Sequence, residues 1–186
     1  MTGELRDSGE HTAKSLVEER VVEGRGESGS PVEPTPIVAI GTSAGGIPAM
    51  RDFFRALPGS GGICFVVVQH LPPNFENKLP ELLRSHTDIP VVEIHDGMVA
   101  EPDRIHVIPP GTKLTLQEAK FRVQRRDDAL RLPLTIDAFY RSLAQDHGSA
   151  AACVILSGGG TDGTVGLAAI KDRGGLVLVQ DPADAE

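Results

Sequence analysis

The 186-residue sequence has no tryptophan, one tyrosine, two cysteines and no apolar run of about 18 residues. Each absence excludes something. Without such a run there is no membrane-spanning helix, and the N-terminus lacks the apolar core of a signal peptide. Cys64 and Cys153 cannot make a disulfide framework. Basic residues are also in short supply, 18 against 26 acids, for a formal charge of −8. That balance argues against nucleic-acid binding, which needs clustered Lys and Arg. A soluble protein of the cytoplasm, inserted in no membrane and bound to no nucleic acid, is the expectation. What the chain has in plenty is 21 glycines and 14 prolines, so turns are frequent.

The composition divides near residue 36. Residues 1–36 contain eight acids, four bases and no aromatic residue, and end in the Ser/Pro/Gly-rich stretch ESGSPVEPTP. Such a segment cannot bury enough apolar surface to offset its ordering entropy, and it is expected to be a disordered acidic tail. Residues 37–186 then read as one domain.

Within that domain, short apolar runs alternate with amphipathic stretches. Residues 37–41 (IVAIG), 63–68 (ICFVVV), 151–156 (AACVIL) and 176–179 (LVLV) are continuous in apolar residues, as parallel strands covered on both faces are. Residues 91–95 and 104–108 are further strands. Helices are predicted over 46–57, 77–85, 134–146 and 164–171 from apolar spacings of three and four. Residues 113–116 and 121–124 alternate apolar and polar, which predicts a small exposed hairpin. The recurring β-α-β order implies an α/β fold: an open, mostly parallel sheet, helices on both faces, and one small antiparallel hairpin. Only a few residues follow the last strand, so the domain is expected to be truncated at its C-terminal end and part of a longer protein.

Three loops that follow strands carry the candidate chemistry. The first is GTSAGG, residues 41–46, where G-x-S-x-G lies between a buried strand and a helix. That pattern points to a serine nucleophile, Ser43, on a strained turn, with glycines either side removing Cβ atoms that would clash. Helix-start N–H groups there can stabilise an oxyanion. The same turn also suits an anion-binding loop or plain packing; it fits neither G-x-G-x-x-G nor a P-loop. The second is His70, at the end of the strand ICFVVV, where open α/β sheets collect functional groups. An imidazole there can take a proton from a hydroxyl and return it to a leaving group. His95, which also ends a strand, is its main competitor. The third is SGGGTDG, residues 157–163, which places Asp162 at the head of the last helix. Asp162 reads either as the N-cap of that helix or as the acid that orients a histidine, and a carboxylate has oxygens for both. The order Ser, His, Asp matches neither α/β-hydrolases nor the chymotrypsin and subtilisin orders.

Taken together, IGTSAGG, VVVQH and LSGGGTDG, with the connecting text LPELLRSHTDIPVVE, DRIHVIPPG and GLAAIKDRGGLVLVQDP, resemble the catalytic domain of the chemotaxis protein-glutamate methylesterases, the CheB family. The resemblance covers residues 36–182. FFRALP, ELLRSHT and FYRSLAQD are similar to methylesterase-like domains fused to a receptor methyltransferase. The resemblance implies a serine esterase that removes methyl groups from glutamate side chains of chemoreceptors and releases methanol, with deamidation of receptor glutamines in some members. It implies Ser43 as nucleophile, His70 as general base and then acid, and Asp162 as orienting acid. Oxyanion donors would be backbone N–H groups near Ala44 and Gly159. No metal or organic cofactor is implied. The implied partners are methyl-accepting chemoreceptors and a receptor methyltransferase module. Two departures from the family stand out: residues 1–36 are too short and polar for a receiver domain, and Gly159 replaces a bulkier residue such as Met. A catalytically weak docking module, or a phosphate- or nucleotide-binding domain, is the alternative expectation.

Overall fold

The computed structural model describes residues 34–71, 76–126, 134–156 and 161–181. The acidic tail expected over residues 1–36 falls almost wholly outside them. The elements in chain order are β1 (Ile37–Thr42), a 3-10 turn (Ala44–Gly46), α1 (Ile47–Ala56), β2 (Cys64–Gln69), α2 (Leu79–Arg84), β3 (Val91–Glu93) and β4 (Arg104–Val107). They continue with β5 (Thr112–Gln117), β6 (Lys120–Arg125), α3 (Thr135–His147), β7 (Ala151–Ile155), α4 (Thr164–Asp172) and β8 (Leu176–Val179).

Six strands form one sheet in the order β3-β4-β2-β1-β7-β8, and every pairing in it is parallel. β5 and β6 pair antiparallel as a separate hairpin. The α/β expectation therefore holds.

Burial on both faces explains why the central strands lack alternation. Along β2, Cys64, Val66 and Val68 point to one side and join Phe139, Tyr140, Leu143 and Ile170 of α3 and α4, with Leu114 and Phe121 of the hairpin. Phe65 and Val67 point to the other side and join Met50 and Phe54 of α1 and Leu79 and Leu83 of α2. Each face supplies one apolar layer, so a polar residue on either would be left without solvent.

One strand departs from its sequence pattern. LVLV reads as a covered strand, yet β8 is the edge of the sheet, and Leu176, Leu178 and Val179 are exposed. It has β7 as its one neighbour, and among the described residues no element packs over its outer side.

The topology also fixes where a site can form. From β1 the chain moves outward to β2, and from β7 it moves outward in the opposite direction to β8. Adjacent parallel strands whose connections diverge leave a crevice at their carboxyl ends. Here that crevice lies between β1 and β7, where Gly41 is paired with Ile155.

Candidate active site

Ser43 is the first residue after β1, His70 the first after β2, and Asp162 lies in the loop between β7 and α4. β2, β1 and β7 are consecutive in the sheet, so all three groups emerge on one rim. Gly41, Thr42, Ser43, His70, Ile136, Ile155, Leu156 and Asp162 line a cleft of about 100 Å³ there.

His70 Nε2 and Asp162 Oδ2 are 2.5 Å apart. An ionised carboxylate can only accept, so the imidazole donates through Nε2–H, and in the neutral ring Nδ1 carries the lone pair. Asp162 also accepts from the backbone N–H groups of Ile136 (Oδ2, 2.9 Å) and Asp137 (Oδ1, 2.9 Å), in the first turn of α3. Burial pushes the Asp162 carboxyl up, but the hydrogen bonds from His70, Asp137 and Ile136 outweigh it. The carboxyl is held below the ordinary aspartate value.

These bonds correct one expectation. Asp162 does not cap the helix that follows it. Gly163, at φ +102°, occupies the N-cap of α4 and makes no side-chain cap bond, while the carboxylate turns back to the free N–H groups of α3. The α3 N-cap is Leu134, which has no acceptor to offer, so Asp162 supplies it from outside the helix.

Ser43 requires a second correction. Its backbone is extended, φ −101° and ψ −175°, and is not the strained nucleophile turn that G-x-S-x-G suggests. The chain instead bends through the 3-10 turn that follows. Gly46 N–H donates to Ser43 O (3.1 Å), and Thr42 Oγ1 donates to the same carbonyl (3.0 Å). The flanking glycines consequently differ in purpose. A Cβ on Gly41 would lie 2.6 Å from Tyr140 Oη and 2.7 Å from Ile136 Cγ2, so Gly41 lets α3 press against the end of β1. A Cβ on Gly45 would meet nothing within 4 Å.

Ala44 begins the 3-10 turn, where the first N–H groups of a helical run have no partner within it. Gly159 lies outside the described residues. Among the described residues no hydrogen bond joins the Ser43 hydroxyl to His70, although both border the same cleft. His95 is exposed and turns to the carbonyl of Asp96, so it does not compete for the site. No group of three or more His, Cys, Asp or Glu suited to a metal occurs among the described residues, and no helix among them is long and apolar enough to cross a membrane.

Sequence reasoning missed the supports of the site. Tyr140 is fully buried beneath Gly41 and donates to Val154 O (2.9 Å). Asp137, in the first turn of α3, accepts from Gly166 N–H of α4 (2.7 Å). An acid in a first helical turn was the only signal for the latter, and it is a common helix feature.

Residues 38–186 match the CheB methylesterase family. The protein-glutamate methylesterase/protein-glutamine glutaminase of Moorella thermoacetica is 35% identical over 159 residues, spanning 79% of this chain and 36% of that protein. The protein of the same name from Trichodesmium erythraeum is 36% identical over 156 residues, spanning 80% of this chain and 44% of its own length. The chain thus spans less than half the length of these curated relatives. The crystal structure of the Thermotoga maritima CheB methylesterase catalytic domain superposes with a TM-score of 0.71 at 32% identity, over 82% of each chain. The fold, the order of its motifs and these likenesses converge: the chain belongs to the CheB methylesterase family.

Proposed function

We propose that this domain is a serine hydrolase that cleaves methyl esters of glutamate side chains on chemoreceptors, giving glutamate and methanol. The observation that carries the proposal is the His70–Asp162 pair at 2.5 Å on the cleft that Ser43 also lines. Family membership supports the substrate class, since the matched relatives are named protein-glutamate methylesterases.

In this reading Ser43 Oγ attacks the ester carbonyl while His70 Nδ1 takes its proton. The ionised Asp162 stabilises the imidazolium through Nε2–H. The imidazolium then gives its proton to the departing methoxide, and methanol leaves an acyl-enzyme on Ser43. Water enters and attacks the acyl carbonyl as His70 removes its proton; His70 then returns that proton to Ser43 Oγ as the ester bond breaks, and the glutamate is released with the serine hydroxyl restored. The N–H of Ala44, with one from the glycine run at 158–160, stabilises the oxyanion of both tetrahedral intermediates. The same steps convert a receptor glutamine to glutamate with ammonia as leaving group. The chemistry needs no cofactor. The partners are methyl-accepting chemoreceptors and, in a longer protein, a receptor methyltransferase module; the site of action is the cytoplasm. Residues 37–186 act as the catalytic domain and residues 1–36 as an acidic tail.

Methanol release from a methylated receptor fragment tests this. Ser43→Ala is expected to lower kcat by roughly 10⁴-fold or more with little change in thermal stability. Undiminished release from the variant would refute the mechanism.

A further inference from the structure

The hairpin carries charge of the opposite sign to the rest of the chain. Residues 112–126 contain five bases, Lys113, Lys120, Arg122, Arg125 and Arg126, and one acid, Glu118, within a protein of net charge −8. The pairing register sorts them. Leu114, Leu116 and Phe121 point inward and are buried. Lys113 faces Gln124, Thr115 faces Arg122, and Gln117 faces Lys120 on the other side, where Lys113, Lys120 and Arg122 are all exposed. None of the five cations is in an ion pair among the described residues. Two acids beside the hairpin are occupied with its backbone. Asp146 accepts from Glu118 and Ala119 N–H, and Asp96 accepts from Val123 N–H. Asp127 and Asp128, next in sequence, lie outside the described residues.

The strip also has a direction. At one end, Glu118 and Ala119 sit against Asp146, near the C-terminal end of α3. At the other end, Arg126 Nη2 approaches the carbonyl of Leu71 at 3.4 Å, one residue beyond His70. The cations therefore run along the hairpin toward the rim that holds the cleft. Each six-residue strand spans about 20 Å.

We propose that the outer face of the β5–β6 hairpin is the docking surface for an acidic segment of the protein substrate, guiding its esterified side chain to the cleft beside His70. The inference rests on the methylesterase reading for the identity of the partner, but not for the surface itself. Unpaired exposed cations attract an acidic partner over a Debye length and raise the encounter rate in a salt-dependent way. A nucleic acid would meet the same outer cations, Lys113, Lys120 and Arg122, but also the repulsion of the protein's net negative charge. An acidic protein surface needs only the local strip.

The test uses the full chain with Lys113→Glu, Lys120→Glu and Arg122→Glu combined; none of these residues touches the cleft. Lys171→Glu, an exposed reversal on α4, is the control. Fluorescence anisotropy with a labelled, methylated receptor fragment is measured at 20 and 200 mM salt, alongside a duplex DNA of similar length. The wild type should bind the receptor fragment more tightly at low salt, and the triple variant about tenfold more weakly, with most of the salt dependence gone. Circular dichroism should show both variants folded; if the triple variant is not, Arg122→Ala with Lys120→Ala replaces it. Hydrolysis of p-nitrophenyl acetate should be unchanged by the triple substitution, while KM for the receptor fragment rises. Equal binding by wild type and triple variant, an equal loss in Lys171→Glu, or tighter binding of DNA would each overturn the proposal. Methanol release is scored separately: hairpin-dependent binding without turnover would refute the esterase reading and leave the docking surface standing.

Discussion

Asp162 and Asp137 each serve the helix that the other belongs to or precedes. Asp162, two residues before α4, accepts from Ile136 and Asp137 N–H at the start of α3, while Asp137 of α3 accepts from Gly166 N–H at the start of α4. The two helix N-termini are tied by crossed caps. Gly166 permits the approach: a Cβ there would lie 2.5 Å from Tyr140 Cβ. The carboxylate that meets His70 is thereby anchored by two N–H donors, and its Oδ2 accepts from the imidazole as well as from Ile136 N–H.

Replacing Asp162 tests both duties at once. Asp162→Asn is expected to lower kcat by roughly 10³–10⁴-fold, because an amide no longer holds the imidazole in its Nε2–H form or stabilises the imidazolium. It should also cost about 1–2 kcal/mol of stability through the α3 cap, measured by urea unfolding. A loss of activity with unchanged stability would contradict the cap.

The pH dependence of folding follows from the same carboxyl. Its folded pKa lies below its unfolded value of about 3.9, so the ionised form stabilises the fold above that value. This contribution is lost as pH falls through the folded pKa. Asp162→Asn should flatten the acid limb of a stability–pH curve below about pH 4 and leave its shape at neutral pH intact. An unchanged acid limb would count against the bonds described.

The tautomer is observable directly. The ¹⁵N spectrum of His70 at a pH where the ring is neutral should show a protonated Nε2 and an unprotonated Nδ1. The opposite pattern would reassign the basic nitrogen and with it the path of the serine proton.

The two glycines around Ser43 separate a packing role from an open turn. Gly41→Ala should destabilise the protein by about 1–3 kcal/mol, because the added methyl collides with Tyr140 and Ile136. Gly45→Ala should stay within about 0.5 kcal/mol, since it faces open space and keeps its N–H. Thermal unfolding of both variants decides it, and similar losses would refute the contrast.

The buried thiols should be inert in the folded protein. Burial raises Cys64 and Cys153 to about 12, which removes the thiolate at neutral pH. Iodoacetamide at pH 8 should label neither cysteine until urea is added. Native labelling of Cys153 would show that the region beneath α4 opens.

The apolar runs in β1, β2 and β7 determined a great deal by themselves. They are too short for anything but strands and too uniformly apolar for a half-exposed sheet, so a covered parallel sheet follows from local sequence. With strands and helices alternating, the residues just beyond the strands, Ser43 and His70, had to emerge at carboxyl ends, where such sheets place their sites. Local sequence could not tell which helix Asp162 would cap, that LVLV would form an exposed edge, or that Gly41 answers to Tyr140, 99 positions further along. A carboxylate bonds whichever free N–H groups come within reach, and a strand is buried only by what packs on it. Both are set by contacts between segments far apart in the chain, which periodicity, confined to a window of a dozen residues, does not encode.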